Sequence, residues 1–373
     1  MFGGRQRGLS LSELQKRMIW HLRVYGPTAR SQLAAALGQS NAAITRFSRE
    51  LINLGLIREE EGLNARIKGR PMVPLGISGD GAFAAGATYH PGWLEVMLVD
   101  FAGTVLAQDS LPFESKSPRD FALAVDERLT VLAARLGLTQ RRFLGLGVAV
   151  PGYLVGAEER RAVVPWLGGW RNQPLIPLFS DILDMPIWIE NDATAAALAE
   201  YYQERILRNH RTILMLFLGH GLGGGIVAER ELYRGEYGNA GEIGRLFPLS
   251  PQRPSGIDLI GTLRGHGIAI KDLSGLQSLL LLHPALFEQW MDRVARQLAP
   301  VVAGGTAWLD PGAIVISGAL PPALPAGIAA RLQDWERNDY AAPRPQIIAS
   351  ELCSSAVCLG AGLVPIHAQT SRR

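Results

Sequence analysis

A polar triplet separates a candidate strand from a candidate helix. Glu190, Asn191 and Asp192 follow the apolar segment PIWI and precede the helix-forming run ATAAALAE. Asn or Asp before a helix caps its free amide groups and suits its positive end. At the carboxyl end of a strand, where open α/β sheets bind ligands, such residues also suit a polyol site or a general base. Capping needs only one of them, so both interpretations stay open here.

The bulk composition is that of a multidomain α/β protein. The 373 residues are 47% hydrophobic and include 42 Gly and 23 Pro, enough for two or three buried cores. Apolar runs are broken by Gly or Pro, and the N-terminus lacks the apolar core of a secretory signal. We therefore expect a cytoplasmic protein without a membrane segment. Cysteines occur only at 353 and 358, which argues against a disulfide framework or a cysteine-based zinc cluster.

Positive charge is concentrated at one end of the chain. Residues 1–76 contain 12 Lys and Arg against five Asp and Glu, whereas the remaining 297 residues contain 25 against 29. A basic end beside a mildly acidic body indicates a nucleic-acid partner. A solvated tail is the alternative, which the spacing of the residues must decide.

Three short helices are predicted in this basic segment. Apolar residues recur at helical spacing from Leu11 to Val24 and stop at Gly26-Pro27, which ends the first helix. The segments SQLAAALG and NAAITRFSRELINLG each begin with a capping residue and close at a glycine. LIREEEGLNARIKGRPMVPLGI then predicts strand, polar turn and strand. This pattern is typical of a winged helix-turn-helix domain, to which we assign residues 1–76.

The third helix and the wing carry the candidate DNA contacts. A helix-turn-helix places polar and basic residues near the start of such a helix in the major groove, and cations at the exit of a wing suit a narrow minor groove. The alternatives are a protein-interaction module and a solvated linker, but the basic charge favours DNA. The candidate contacts are Ser40, Asn41, Thr45, Arg46, Arg49, Arg66, Lys68 and Arg70.

From residue 77 the pattern changes to alternating strands and helices. AFAAGATY, WLEVMLVD and GTVLAQDSLP predict consecutive strands, followed by an amphipathic helix and the buried strand FLGLGVAV. RTILMLFLG, GGIVAER and ELYRG begin a second series of the same kind. We therefore predict two lobes, residues 77–190 and 191–373, each opening with a β-hairpin and sharing a ligand cleft.

Motifs spread along nearly the whole chain resemble one family. In order they read GRP, VDFAGTVLA, GVAVPGYL, GGWRNQPL, ENDATAAALAE, LGHGLGGGIV, LYRGEYGNAGEIG and VISGAL. Each is weak alone, but the combination is specific, and it resembles the ROK family of repressors, open reading frames and kinases. The resemblance implies an α/β fold with a two-lobed actin-like (ribonuclease H-like) sugar kinase domain behind the winged helix. Family members that carry a winged helix are sugar-responsive repressors, including the xylose and N-acetylglucosamine repressors.

The resemblance also indicates a disabled kinase. Family kinases carry Asp followed by Gly-Gly-Thr around the transferred phosphate and its metal, where this chain has Thr88, His90, Pro91 and Gly92. Thr cannot replace the carboxylate, and Pro has no amide hydrogen to donate. A second glycine-rich loop, GHGLGGG at 219–225, suits a phosphate or a hairpin turn that needs positive φ, and we favour the turn.

The resemblance implies a sugar site, and departures from the family's pattern predict that this site holds no metal; no cofactor is expected. Asn191 and Asp192 match the family's sugar-binding pair, with Asp192 as the kinase general base, and Glu242 matches a sugar-contacting glutamate. Arg245 replaces the histidine that binds zinc and neighbours the sugar, and LFPLSPQRPSGID lacks the family's zinc-binding cysteines. An arginine there suits an anionic sugar acid or sugar phosphate. We interpret Trp166, at the place of another sugar-contacting residue, as packing.

These expectations combine into a regulator of carbohydrate metabolism. It would bind a double-stranded DNA operator as a homodimer or tetramer, with the degenerate kinase domain sensing a small sugar or sugar derivative. The first alternative is an active ATP-dependent sugar kinase with a DNA-binding domain. The second is a regulator that no longer responds to any ligand.

Overall fold

The computed structural model describes residues 8–60, 73–248, 252–335 and 343–371. Its backbone forms two compact units, Met1–Glu190 with Ala361–Arg373, and Asn191–Gly360. The predicted wing contacts Arg66, Lys68 and Arg70 lie outside the described residues. None of the helices in the described ranges has the length and apolar composition needed to cross a membrane.

The first unit begins with the predicted winged helix-turn-helix. β3 pairs antiparallel with both β1 and β2, so the wing strands and the short strand after the first helix form one sheet. We call residues 8–60 and 73–77 the head. Its elements are α1 (Glu13–Tyr25), β1 (Thr28–Ala29), α2 (Arg30–Leu37), α3 (Asn41–Asn53), β2 (Ile57–Glu59) and β3 (Pro74–Ile77).

Capping residues and glycines set the helix ends in the head. Ser12 and Gln15 form a reciprocal capping box at the start of α1. α2 ends at Gly38, whose φ of 65° is left-handed, and Ser40 begins α3 by accepting a hydrogen bond from the amide of Ala43 at 3.2 Å. The apolar sides of the helices meet in a core that includes Met18, Ile19, Leu22, Leu33, Ile44 and Leu51.

The remainder of the first unit is an α/β lobe, which we call the first lobe. Its sheet has the order β10-β7-β4-β5-β6, in which β4 is antiparallel to β5 and parallel to β7. The elements are β4 (Ala82–His90), β5 (Trp93–Asp100), β6 (Val105–Pro112), α4 (Pro118–Arg135), β7 (Arg142–Val150), β8 (Gly152–Gly156), β9 (Arg160–Val163), α5 (Leu175–Ser180) and β10 (Ile187–Asn191).

The second unit contains a sheet of the order β13-β12-β11-β14-β15. β11 is antiparallel to β12 and parallel to β14. The elements are α6 (Asp192–Tyr201), α7 (Glu204–Asn209), β11 (Ile213–Leu218), β12 (Leu222–Ala228), β13 (Glu231–Leu232), α8 (Gly256–Gly265), α9 (Leu276–Leu282), α10 (Pro284–Leu309), β14 (Ala313–Ser317), α11 (Ala323–Trp335), β15 (Gln346–Ala349) and α12 (Ala356–Thr370).

The two sheets have the same topology. In each, three consecutive strands form an antiparallel meander, and the first of the three also pairs in parallel with a later strand. Later strands of the same lobe complete each sheet. The predicted duplication of an α/β lobe that opens with a hairpin is therefore confirmed.

Helices cover both faces of the first lobe's sheet. α4 buries Phe121, Val125 and Leu129 against one face. The end of α12 lies on the other face, where a side chain at Gly147 would come within 1.9 Å of the Ala361 carbonyl oxygen. Glycine in β7 is thus required for this helix, which begins in the second unit and ends in the first.

A fully buried carboxyl group lies at the carboxyl ends of two parallel strands in the second unit. Glu200 of α6 is 0% exposed, and its Oε1 accepts hydrogen bonds from the hydroxyls of Ser317, at 2.8 Å, and Ser350. Its Oε2 has no hydrogen-bond partner among the described residues. Removal from water therefore raises the pKa of Glu200 above its ordinary value, despite the two serines.

Glu200→Gln is expected to make the stability less dependent on pH. The raised pKa means that the folded chain holds this proton more tightly than the unfolded chain. The wild type is therefore most stable below the unfolded pKa, near 4.5, and loses this stability as pH rises through the folded pKa. The amide still accepts from both serines but has no proton to lose. Thermal unfolding between pH 4.5 and 8 should show the stability of the variant rising relative to that of the wild type as pH increases. A difference in stability that does not change with pH would contradict a raised pKa for Glu200.

Candidate functional site

Helix α3 presents one polar and basic face to solvent. Asn41, Arg46 and Arg49 are exposed and Thr45 is half-buried, while Ile44, Ser48 and Leu51 lie on the buried side. The predicted contacts of α3 therefore share one face, and Ser40 stands at its start as the cap. An open hollow on this face is lined by Asn41, Ala42, Thr45, Arg46, Arg49, Glu50 and Asn53.

Two side chains on this face are held by neighbours. Glu50 accepts a hydrogen bond at 2.8 Å from Nε2 of Gln15, whose Oε1 accepts from the amide of Ser12. The Arg46 guanidinium lies 4.4 Å from the ring centroid of Phe47. Sequence reasoning did not include Glu50, although its position four residues after Arg46 places both on one face of a helix.

In the first lobe, the hairpin of β4 and β5 carries Thr88, which is buried and donates its hydroxyl to the Ala149 carbonyl at 3.3 Å. Glu95 is its cross-strand neighbour, is 7% exposed, and accepts a hydrogen bond from Gln108 at 2.7 Å. His90 Nε2 lies 3.4 Å from the same carboxylate. The hairpin thus places an acid directly across from Thr88.

Trp166 packs in the first lobe, as predicted. Its ring meets the ring of Tyr89 edge to face, with the centroids 5.5 Å apart. Tyr89 is buried and also contacts Phe113 edge to face at 5.4 Å. Trp166 therefore belongs to the aromatic packing around β4.

The glycine-rich stretch of the second unit forms a hairpin, but the predicted reason for its glycines was wrong. Residues 219–221 connect the antiparallel strands β11 and β12, and none of the glycines between 219 and 225 has a positive φ. They leave room for neighbours instead. A Cβ on Gly225 would lie 2.4 Å from the Ala197 Cβ of α6, and a Cβ on Gly224 would lie 3.0 Å from the Gly241 carbonyl oxygen. The glycines therefore let α6 and the segment at Gly241 pack closely against the strand.

The triplet that ends β10 caps α6. The Asn191 side-chain oxygen accepts hydrogen bonds from the amides of Ala193 and Thr194, at 2.9 and 3.1 Å, and Asp192 Oδ1 accepts from Ala193 at 2.9 Å. Glu190 is buried. Capping is therefore observed for Asn191, and it leaves a ligand-binding role for Asp192 open.

Glu242 and Arg245 lie on one turn of the second unit. Gly241 adopts a φ of 92°, and a Cβ there would lie 2.5 Å from the Gly224 carbonyl oxygen, which places this turn directly against β12. Glu242 is half-buried and Arg245 is exposed. Close by, Gly244 leaves room for the guanidinium of Arg253. Glycines thus allow the turn to approach the strand.

Three segments converge around the β11–β12 hairpin. The start of α6 packs on Gly223 and Gly225, the turn with Glu242 packs on Gly224, and the amide of Gly256, at the start of α8, donates to the Gly219 carbonyl at 2.7 Å. The predicted ligand residues lie in or next to these segments. Two of them directly precede the part of α6 that contacts the hairpin, and the other two follow Gly241: Asn191, Asp192, Glu242 and Arg245.

The turn does not fit a zinc ion. Arg245 stands where the family has a histidine ligand, and a guanidinium is always protonated and has no lone pair for a metal. In the part of the chain that the structure describes, no three His, Cys, Asp or Glu side chains form a metal-binding group. The expected absence of zinc stays a prediction.

Comparisons with known proteins agree with this architecture. A winged helix-turn-helix head followed by two α/β lobes of the same topology defines a protein with an actin-like fold behind a winged-helix domain. The chain belongs to the ROK family, whose model matches residues 85–256. It is 31% identical over 361 residues to protein y4fQ of Sinorhizobium fredii, an alignment that covers 96% of this chain and 91% of that protein.

Relatives with named functions are both repressors and enzymes. The xylose repressor of Bacillus subtilis is 23% identical over 235 residues, which cover 62% of this chain and 59% of the repressor. The bifunctional enzyme NanE/NanK of Brucella melitensis is 32% identical over 236 residues, which cover 59% of this chain and 43% of the enzyme. The chain thus spans less than two thirds of these two relatives.

Solved structures share the fold. A ROK family transcriptional regulator described as a homologue of the Escherichia coli MLC protein has a TM-score of 0.72 and 19% identity, with 96% of this chain and 97% of that chain covered. The ROK glucokinase of Streptomyces griseus has a TM-score of 0.58 and 20% identity, with 75% and 98% covered. The predicted fold, with the head in front of a two-lobed actin-like domain, is confirmed.

Gly225→Ala is expected to destabilise the second unit, whereas Gly221→Ala is not. A Cβ at 225 meets Ala197 and the Ala193 carbonyl oxygen at 2.4 and 3.0 Å, so α6 must move away from β12. Overpacking of this kind costs about 1–3 kcal/mol. At Gly221 nothing lies within 4 Å of the new atom. Urea unfolding of the two variants measures the difference, and equal midpoints would contradict the close packing of strand and helix.

Proposed function

We propose that this protein is a sequence-specific transcription regulator of carbohydrate metabolism, with the head binding an operator and the second unit binding a sugar or sugar derivative. The observation that carries the proposal is the polar and basic face of α3 within a winged helix-turn-helix. The basic charge of residues 1–76 and the similarity to a xylose repressor and a ROK transcriptional regulator support it. We infer repression from these relatives.

The side chains on α3 suit base edges and phosphates. Arginine binds guanine through two hydrogen bonds and asparagine binds adenine in the same way, so Arg46, Arg49 and Asn41 have the required chemistry. Thr45 and Ser40 can donate to phosphate oxygens. We propose that the wing cations Arg66, Lys68 and Arg70 add minor-groove contacts. A homodimer or tetramer would match the two-fold symmetry of operators.

The second unit has the chemistry of a polyol site near the β11–β12 hairpin. Carboxylates of Asp192 and Glu242 accept hydrogen bonds from sugar hydroxyls, and the amide group of Asn191 adds further capacity. Arg245 is an exposed cation on the same turn as Glu242. We therefore propose that the ligand carries an anionic group, as in a sugar acid or a sugar phosphate.

Ligand binding would regulate DNA binding through a shift in population. A ligand changes the affinity for the operator only if it binds the two conformations of the protein with different affinity. The sensor proposed here therefore needs no catalysis. The third possibility, a regulator without ligand response, would show operator binding that no sugar alters.

An active sugar kinase is the second candidate function. Asp192 occupies the position of the family's general base, and the chain is similar to an enzyme, NanE/NanK. The first lobe argues against turnover because Thr88 is buried and bonded to backbone. A threonine hydroxyl in this position does not replace the carboxylate that holds the metal in phosphoryl transfer. We therefore propose that the kinase chemistry is lost.

Capture of genomic DNA from the source organism by the full-length protein, at physiological salt, tests the regulator. One or a few pseudo-palindromic sites should be enriched, because sequence-independent charge contacts weaken as salt rises. Uniform, salt-sensitive recovery would contradict sequence-specific binding.

Arg46→Ala with Arg49→Ala is expected to reduce affinity for the captured operator and its dependence on salt. Each phosphate-contacting cation that is lost lowers the salt slope by about 1, and an arginine that reads a base costs about 1–3 kcal/mol. The matched control is Arg119→Ala, which removes an exposed arginine from α4 of the first lobe. Fluorescence anisotropy across a salt series measures both quantities. Equal losses in the two proteins would contradict the assignment of α3.

Calorimetry and a coupled ATP assay separate sensor from kinase. We expect a sugar or sugar derivative to bind the wild type without turnover in the presence of ATP and magnesium, and Asp192→Asn to weaken that binding by at least about tenfold, which is 1.4 kcal/mol. Arg245→Ala should weaken an anionic ligand more than its neutral parent sugar. Turnover that Asp192→Asn abolishes would establish the kinase instead, and equal binding of the anionic and neutral forms would contradict the role of Arg245.

A further inference from the structure

The head docks on the first lobe through three contacts. On α1, Arg23 donates to the carbonyl oxygens of Phe101 at 2.8 Å and Ala102 at 3.1 Å, in the turn after β5. The same guanidinium lies 5.4 Å from the centroid of the buried Phe101 ring. One arginine thus combines two carbonyl acceptors with an aromatic face, an arrangement that fixes its direction.

The end of the chain supplies a second contact. Gln369, near the end of α12, accepts a hydrogen bond from the amide of Leu9 at 2.8 Å and donates through Nε2 to the Leu144 carbonyl of β7 at 2.9 Å. A single side chain therefore bridges the segment before α1 and the sheet of the first lobe. His367, in the last turn of α12, contacts Trp20 of α1 edge to face, with the ring centroids 5.7 Å apart. Both rings are buried.

A third contact is made by backbone alone. Gly55 ends the turn after α3, and Gly81 precedes β4. A Cβ on Gly81 would lie 2.3 Å from the Gly55 carbonyl oxygen. Next to it, Arg141 of the first lobe donates to the carbonyls of Gly79 and Asp80 at 3.1 and 3.0 Å, which fixes the segment entering the lobe.

The contacts at α1, before α1 and after α3 hold three separate segments of the head against the first lobe, so they oppose rotation of the head about any one of them. We propose that Arg23 and Gln369 are positioning residues that set the direction of the head and thereby the spacing of operator half-sites that the protein accepts. This inference rests on the proposed function, because it requires that two heads bind one operator. It assigns the specificity for spacing to residues that do not touch DNA.

The consequence for DNA follows from the geometry of the duplex. Each base pair inserted between two half-sites moves one of them by about 3.4 Å and turns it by about 34°, since B-DNA has 10–10.5 base pairs per turn. A head on a flexible linker tolerates such a change. A head that is held at three places does not tolerate it. The affinity of the protein for the operator should therefore fall sharply when the half-sites are closer together or further apart than one preferred spacing.

The test uses the captured operator with its half-sites moved apart or together in steps of one base pair. Full-length wild type should lose affinity by about tenfold for one step in either direction, which is about 1.4 kcal/mol. Arg23→Ala with Gln369→Ala should bind the neighbouring spacings within about threefold of the best one, while its affinity for a single half-site is unchanged. Arg23→Lys keeps the positive charge but loses the planar guanidinium that donates to two carbonyl oxygens at once. Its dependence of affinity on half-site spacing should lie between those of the wild type and the double variant.

Arg205→Ala with Gln203→Ala is the matched control, because these residues make similar bonds to carbonyl oxygens within the second unit, at 2.7 and 3.3 Å. It should keep the narrow profile. Thermal unfolding first establishes that all variants are folded, and an unfolded double variant would be replaced by the two single variants.

A double variant that keeps the wild-type profile would overturn the proposal, and so would a wild type that binds half-sites without any preference for spacing. In both cases the regulator itself would stand. If the wild type binds no operator at all, the proposed function fails and this inference fails with it.

Discussion

Close packing of backbone against backbone, which only glycine permits, is the constraint on which this structure depends. In the second unit, Gly223 to Gly225 of β12 let α6 and the turn with Glu242 approach from the two sides of the strand. Gly147 does the same for α12 in the first lobe, and Gly81 does so for the head. Each contact places a segment of the chain: the start of α6 with Asp192, the helix α12, and the winged-helix head. The many glycines of the chain are therefore structural requirements at named contacts.

Much of this architecture could be predicted from the sequence because it is local. Capping residues and glycines delimit the helices of the head, and repeated strand and helix patterns predict two lobes of one topology. The reason for the glycine-rich stretch at 219–225 could not be predicted. A turn that needs positive φ and a strand that needs close neighbours both select glycine, and the neighbours come from residues 193–197 and 241. Only the folded chain distinguishes the two.

The candidate sites show the same division. The face of α3 follows from helical periodicity, so Asn41, Thr45 and Arg49 could be placed together beforehand. The sequence pattern could not show which residue of the 190–192 triplet caps the helix and which one is left for a ligand. In the structure Asn191 forms the cap, and Asp192 lies next to it. Nor does spacing show that Glu95 faces Thr88, because cross-strand neighbours depend on register. Contacts between elements distant in sequence, such as Gln15 with Glu50, lie beyond any local signal.

The bond between Leu9 and Gln369 joins residues 360 positions apart, and this separation has a consequence for biosynthesis. Proteins are made from the N-terminus, and domains generally fold in that order during synthesis. The residues of the head's own core all precede residue 78, whereas its contact with α12 needs His367 and Gln369. A nascent chain can therefore make the contacts of Arg23 and Gly55 with the first lobe before Gln369 adds its bridge to Leu9. The last of the described contacts between head and lobe forms only after the second unit has been synthesised.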